Sequence, residues 1–188
     1  MDVKDAIRER RAYRALEHAD VTDDLIRDLA ESARLSPSCF NKQPWRFVFV
    51  HNPDTLEKMH PALSQGNEWA KSASMMIAVF SRKEDDCIIK DREYHLFDVG
   101  MSVALIMLRA TELGLVAHPI AGYDPETVSN TLNIPEEYNV ITLIIVGRHS
   151  RKIPGGFAEH QVQAEKERPE RIPLTDFAYA DKYGKPVK

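Results

Sequence analysis

Apolar and polar positions change their spacing several times along this chain, and each change predicts an element. A short helix is expected over Asp2 to Arg11, opening on Asp2. The next begins behind Thr22-Asp23-Asp24, with apolar residues at Leu25, Leu29, Ala30, Ala33 and Leu35. A threonine hydroxyl accepts from the open amides of a first helical turn, and carboxylates suit the positive end of the helix dipole. Thr22 is therefore the expected N-cap. Ser36-Pro37-Ser38 stops that helix, and from Trp45 to His51 alternation with aromatic and β-branched residues predicts a strand. A helix over Asp54 to Leu63 and a turn at Gln65-Gly66-Asn67 follow. The apolar run from Ser74 to Ser81 (SMMIAVFS) reads as a buried central strand.

The strongest helical signal lies between Asp91 and Leu113. Leu96, Val99, Gly100, Val103, Met107 and Ala110 form one stripe, and Met101, Leu105 and Leu108 a second apolar face. A helix that is apolar nearly all round must be covered on both sides. In so small a chain one cover is its own core and the other a partner subunit, although a central helix in a monomer satisfies the same rule. Gly114 closes this helix, and Leu115 to Ile120 gives a strand. Asp124 caps a helix over Pro125 to Leu132, and Tyr138 to Val146 is the last clear strand. Beyond Gly147 apolar anchors are few, so the extension over residues 148–188 must wander or lie across something else. Phe157, Leu174, Phe177, Tyr179 and Tyr183 are spaced like the anchors of an arm.

Composition narrows the functional classes. A chain of 188 residues, 43% hydrophobic and 29% charged, suits a single α/β domain over residues 1–188. A net charge of −4 gives no general electrostatic reason to bind nucleic acid. No apolar run is long enough to cross a bilayer and no signal-peptide core opens the chain, so a cytoplasmic location is expected. Cys39 and Cys87 lie far apart in sequence and provide neither a zinc knuckle nor a disulfide framework. They are expected to be reduced, partly buried thiols. There is no Gly-rich phosphate loop, no Gly-x-Ser-x-Gly elbow and no histidine pair at metal-ligand spacing, so no metal site is expected. Asp98, inside the apolar helix, reads as a buried acceptor for a neighbouring loop or as a catalytic acid.

Three short segments offer chemistry. Arg10-Arg11-Ala12-Tyr13-Arg14 puts three guanidinium groups within five residues, a permanently charged fork for phosphate or carboxylate, or else solvated surface. Ser36 to Trp45 is a loop stiffened by Pro37 and Pro44 that presents Ser38, Asn41 and Gln43, which suits a planar heterocycle or a self-satisfied turn. Pro119-Ile120-Ala121-Gly122-Tyr123 ends a strand at a glycine that permits close backbone approach, and ordinary turn chemistry explains it equally well.

Taken together, Arg-Arg-x-x-Arg, Pro-Ser-x-x-Asn-x-Gln-Pro-Trp and Pro-Ile-x-Gly, in this order, resemble the nitroreductase family of flavoproteins. Arg168-Pro169-Glu170-Arg171-Ile172-Pro173-Leu174 resembles the family's basic closing segment, and the likeness runs from about Ala6 to Tyr183. The resemblance implies an α+β fold: a mainly antiparallel central sheet flanked by helices, in a homodimer with FMN at the interface. A C-terminal arm is expected to cross to the partner subunit. The resemblance further implies that Arg10, Arg11, Ala12 and Arg14 surround the FMN phosphate and ribityl chain, joined by Arg168 or Arg171, preferentially Arg171. Pro37, Ser38 and Asn41 would reach the flavin of the neighbouring subunit. Pro119, Ile120, Ala121 and Gly122 would lie against the isoalloxazine, and Asn67 would meet its pyrimidine edge. Two positions depart from the pattern: Ala12 stands where a hydroxyl residue is common, and Ala121 where one branch has Glu.

The implied activity is ping-pong electron transfer from NADH or NADPH to a nitroaromatic, a quinone or a related small oxidant. The cofactor carries the redox chemistry, so no catalytic side chain is named. The alternatives are a flavoprotein of the same fold with a different acceptor, such as a dehalogenase or dehydrogenase, and a flavin-binding regulator or storage protein without turnover.

Overall fold

In the computed structural model, which describes residues 1–187, the elements run in chain order as α1 (Val3–Glu9), β1 (Leu16–Glu17), α2 (Asp23–Arg34), β2 (Arg46–Val50), α3 (Pro53–Met59), β3 (Met75–Ser81), β4 (Ile88–Ile89), β5 (Arg92–Glu93), α4 (His95–Glu112), β6 (Val116–Ile120), α5 (Pro125–Leu132), β7 (Asn139–His149) and α6 (Glu159–Lys166). Lys188, the last residue of the expected extension, lies outside the described residues. The architecture is the α+β one expected. A central antiparallel sheet is ordered β1-β7-β3-β2, β6 also pairs with β7, and β4 and β5 form a separate hairpin. All pairings are antiparallel, with Ile77 opposite Ile144 at the centre and Pro119 opposite Ile144 across β6.

Every residue of β3 is buried because helices cover both faces of the sheet. Met75, Ile77 and Val79 point to α2 and α4, where they meet Leu29, Ala33, Val99, Val103, Ile106 and Ala110. Met76, Ala78 and Phe80 point the other way, to Met59, Val128 and Ile120. This period-two partition is why an unbroken apolar run forms one strand between two cores. Thr22 caps α2 through its hydroxyl, which accepts from the Leu25 amide at 3.2 Å, and Asp124 caps α5 from Thr127 at 3.0 Å.

The boundaries differ in instructive places. Helix α4 starts at His95 rather than Asp91, because residues 88–93 fold back as the β4–β5 hairpin with Lys90 at φ 61°. Its buried stripe runs through Val99, Ser102, Val103, Ile106 and Ala110, whereas Leu96 and Gly100 of the expected stripe face outward. Leu96 and Phe97 remain 53% and 63% exposed. Strand β7 extends to His149 because Leu16 of β1 pairs with its end. The extension is not structureless: it forms α6, whose Gln161 and Glu165 are buried polar residues, a pattern with no apolar signature to find in the sequence. Ile172, Leu174, Phe177 and Tyr183 beyond it are exposed.

Candidate functional site

The two ends of the chain build one basic cavity. Helix α1 ends at Arg10, where the backbone turns extended (ψ 117°), and the irregular stretch that follows lies against α6. Glu165, buried on α6, accepts the Arg14 amide at 2.6 Å through Oε1 and meets His149 Nε2 at 3.1 Å through Oε2, so one carboxylate pins the N-terminal stretch to the end of β7. The Arg11 guanidinium donates to the Ala164 carbonyl, at the C-terminal and partially negative end of α6. The Arg168 guanidinium likewise donates to the carbonyls of Arg8 and Arg10 at the end of α1.

Arg10, Arg11, Ala12 and Arg14 thereby line a cavity of about 740 Å³ together with His160, Gln163, Arg168 and Arg171. Among the described residues none of these five arginines makes an ion pair with a carboxylate. Burial, followed by the charges of Arg168 and Arg171, holds the Arg10 pKa below its ordinary value. A concave site with this much uncompensated positive charge is relieved by an anion, and guanidinium forks match phosphate oxygens in geometry.

Arg14 and His160 also belong to an adjoining cavity lined by Ser64, Gln65, Asn67, Gly122 and Gln161. A groove thus leads from the arginines to the turn after β6. At its far end Asn67 Nδ2 donates to the Gly122 carbonyl at 2.9 Å, while Asn67 Oδ1 accepts from Trp69 Nε1 at 3.2 Å. A Cβ on Gly122 would lie 2.5 Å from both Asn67 Nδ2 and Ser64 Oγ, so a larger residue here would have to displace those two polar groups. Pro119 and Ile120 sit within β6 and Ala121 is exposed just after it. Of the four expected residues here, Gly122 alone lines the groove. Beneath the groove, His118 is buried against Trp69, with ring centroids 4.7 Å apart, and its Nδ1 lies 3.0 Å from the Tyr13 carbonyl. Burial pushes its pKa down to about 4, with Arg14 and Arg10 acting in the same direction.

The loop between α2 and β2 lies apart from this groove in the protomer, so Pro37, Ser38 and Asn41 are not brought to the arginines by their own chain. It is held by its own bonds: Ser38 Oγ accepts the Gln43 amide at 3.0 Å, and Gln43 Nε2 donates to the Asn41 carbonyl at 3.1 Å. Phe40, Asn41 and Gln43 all have positive φ (48°, 57° and 52°), and the Phe40 side chain is 87% exposed. Asp98 takes the structural role among its two readings, accepting the Cys39 amide at 2.6 Å from within α4.

The expectation of free thiols is overturned. Cys39 and Cys87 are joined as a disulfide with their Cα atoms 6.0 Å apart. Their separation of 48 residues concealed this because the loop before β2 and the segment before β4 both pack at the start of α4. Sequence reading also missed Glu165, Gln161, His149 and His160, which assemble the cavity. The one available signal was the Gln161–Glu165 spacing of a helical turn, in a segment read as irregular.

The model of the nitroreductase family matches residues 7–71 and 66–148 of this chain. An NADH dehydrogenase of Thermus thermophilus is 25% identical over 199 residues, covering 88% of this chain and 94% of its own. A crystal structure described as an oxidoreductase containing FMN superimposes with a TM-score of 0.81 at 28% identity, covering 98% of this chain and 94% of that one. A nitroreductase family protein from Clostridium difficile has the same fold, with a TM-score of 0.78 at 21% identity over 97% and 99% of the two chains. The fold, the order of its motifs and the matched span agree: this chain belongs to the nitroreductase family and is a nitroreductase-type oxidoreductase.

Proposed function

We propose that the protein is an FMN-dependent NAD(P)H oxidoreductase acting on nitroaromatics, quinones or related small oxidants, as a homodimer with flavin at the interface. The observation that carries this reading is the groove that begins in five arginines with no ion pair among the described residues and ends at the Asn67–Gly122 contact. The residues present fit the group, because a phosphate needs the donor set at one end and a heterocycle edge needs the amide donors and acceptors at the other. Arg10, Arg11 and Arg14 would hold the phosphate, with Arg171 closing it from the extension. Asn67 and Gly122, which line the groove's far end, would receive the ring. Pro37, Ser38 and Asn41 would come from the partner subunit, since they do not line their own chain's groove.

When bound, the flavin supplies two-electron transfer between a reduced nicotinamide and the oxidant. The chain's own part is binding and orientation. The arginines fix one end of the ligand and the Gly122 turn limits how deeply the other enters. His118 has a low pKa and stays neutral at neutral pH, so it adds no charge to the arginine field. In this reading the exposed residues of the extension, Leu174, Phe177 and Tyr183, cover the partner subunit. The test is a visible spectrum of the purified protein followed by anaerobic mixing with NADH or NADPH. Flavin absorbance that bleaches and returns with a quinone or nitroaromatic supports turnover. A yellow protein that neither nucleotide bleaches is a flavin binder without this activity, and a protein that stays colourless with added FMN ends the proposal.

A further inference from the structure

The ends of the groove are accounted for, but a buried polar cluster at the start of α4 is not. Around the Cys39–Cys87 disulfide lie Asp86, Asp98, His95 and Ser81, all but Cys39 buried. Asp98 accepts the Cys39 amide, Ser81 Oγ lies 2.8 Å from His95 Nδ1, and Asp86 Oδ1 accepts the Cys87 amide at 2.7 Å. Asp86 Oδ2 is different: it is buried and has no hydrogen-bond partner among the described residues. An Asp86 carboxylate oxygen lies within 4.8 Å of both cysteine sulfurs. An orphaned buried carboxylate oxygen is costly unless it carries a proton or serves a reaction.

We propose that Cys39–Cys87 is a reversible thiol–disulfide pair, that Asp86 is its proton donor and acceptor, and that its state fastens or frees the loop bearing Ser38 and Asn41. Cys39 is the partly exposed sulfur and the site of attack, whereas Cys87 is 7% exposed. A thiolate of an external dithiol attacks Cys39 Sγ, and the electron pair of the S–S bond leaves on Cys87 Sγ. Cys87 Sγ takes the proton of the Asp86 carboxyl. The second thiol of the reductant, its proton passing to Asp86, then displaces Cys39 as a thiolate that is protonated by solvent. The dithiol is oxidised to a disulfide by two electrons, and the protein gains two thiols.

A leaving thiolate in a buried site needs a proton at hand, and Asp86 is equipped to hold one. Burial raises its pKa from the ordinary value and its neighbour Asp98 on α4 adds to the effect, while the Cys87 amide that it accepts and His95 oppose it. In a reducing compartment, disulfides that form are commonly transient, catalytic or sensing rather than permanent staples. The loop itself is suited to release. It holds three non-glycine residues at positive φ, and the disulfide joins it to the segment before β4. That reduction alters flavin affinity rests on the function proposed above, whereas the thiol chemistry does not.

The experiment exposes folded protein to excess dithiothreitol, traps thiols with iodoacetamide and counts them by mass, with hydrogen exchange of residues 37–43 read in both states. Both cysteines should become alkylated while the protein stays folded, and exchange in the loop should rise at least tenfold. Asp86→Asn should slow reduction by about a hundredfold or more, the scale of a lost general acid, and Asp86→Glu should recover part of the rate. Reduction only on global unfolding, an Asp86→Asn variant as fast as wild type, or unchanged loop exchange would each overturn the proposal. Should Asp86→Asn not fold, Asp86→Glu decides the carboxyl's part, a rate unchanged from wild type overturning it, and the wild-type rate and exchange decide the rest. FMN titration of both states separates the two readings. No binding in either state removes the flavin function but leaves a reversible pair standing, whereas equal binding in both removes the loop's control of flavin.

Discussion

The arginine-lined cavity and the Ser38–Asn41 loop are expected to serve one ligand, yet a single chain builds them in opposite ways. The cavity is made by the two ends of the chain, unpaired in charge and tied together by Glu165 and Arg168. The loop is one continuous segment, internally hydrogen-bonded and covalently fastened, with its exposed Phe40 a short way along the chain from the residue that Asp98 holds to α4. Helix α4 also carries Leu96 and Phe97, and these face outward. In the proposed homodimer, a loop set apart from its own chain's groove and a helix with outward-facing Leu96 and Phe97 are what one subunit of a two-fold site would leave behind. The groove from the arginines to Gly122 would then belong to one chain, and the Ser38–Asn41 loop would serve the groove of its partner.

The largest effect should come from breaking the pair. Both Leu96 and Phe97 are already exposed in the protomer, so Leu96→Lys with Phe97→Lys should leave its fold intact. Each apolar side chain buried on association contributes about 1.5–3 kcal/mol, and each occurs twice in a two-fold interface. On the proposed homodimer, light scattering should show a dimeric wild type and a monomeric double variant, and flavin retention should fall with dissociation. A flavin-loaded dimer from the double variant would remove the distinction between the two half-sites.

Acid should act on the cavity side. His118 is buried with a pKa of about 4, below the ordinary value of 6.5. The unfolded chain therefore binds the proton more readily between these values. Stability is fully present above about pH 6.5 and is lost as pH falls toward 4, by up to about 3 kcal/mol in total. His118→Asn keeps a donor toward the Tyr13 carbonyl and cannot titrate, so its urea midpoint should change less across that window. A wild type equally stable at both ends would show that His118 titrates normally.

Next in size is the charge itself. Arg10→Ala removes a charge-assisted bond worth roughly 1.5–3 kcal/mol, so FMN affinity should weaken about 10- to 150-fold. The thermal unfolding midpoint of the apoprotein should hold or rise slightly, because Arg10 is repelled by Arg168 and Arg171 in the ligand-free cavity. Unchanged affinity would make the cluster ordinary surface charge.

The same two regions show what the sequence could disclose. The apolar run of β3, the caps Thr22 and Asp124 and the arginines of residues 10–14 are local signals, readable because spacing or chemistry is concentrated in a few residues. The groove's other wall is not local. Gln161 and Glu165 of α6 are buried polar groups, each with one partner about a hundred or more residues away (Gly66 and Arg14), so no apolar stripe announces them. The disulfide was hidden for a related reason: spacing along the chain carries no information about a distance set by α4. Within α4 an apolar surface nearly all round was legible, but not the face the core takes: Leu96 and Gly100 of the expected stripe face outward.

The smallest predicted effect is the most local. Ala12 lines the cavity between Arg11 and Arg14 and is exposed, so a larger side chain can be accepted there without disturbing the core. Ala12→Ser places a hydroxyl where its methyl group now stands, among donors already directed at an anion. One added neutral hydrogen bond contributes about 1 kcal/mol, or roughly a fivefold gain in affinity for FMN. Surface substitutions of this kind leave stability within about 0.5 kcal/mol, so calorimetric binding of FMN should improve with no change in the urea midpoint. The gain should vanish with riboflavin, which lacks the phosphate, and it should survive reduction of Cys39–Cys87, since the serine lies in the cavity and not in the loop. A variant that binds FMN no better than wild type would place the phosphate away from Ala12, nearer to Arg14 and Arg171. Improvement with riboflavin as well would mean that this end of the groove receives the sugar chain rather than the phosphate.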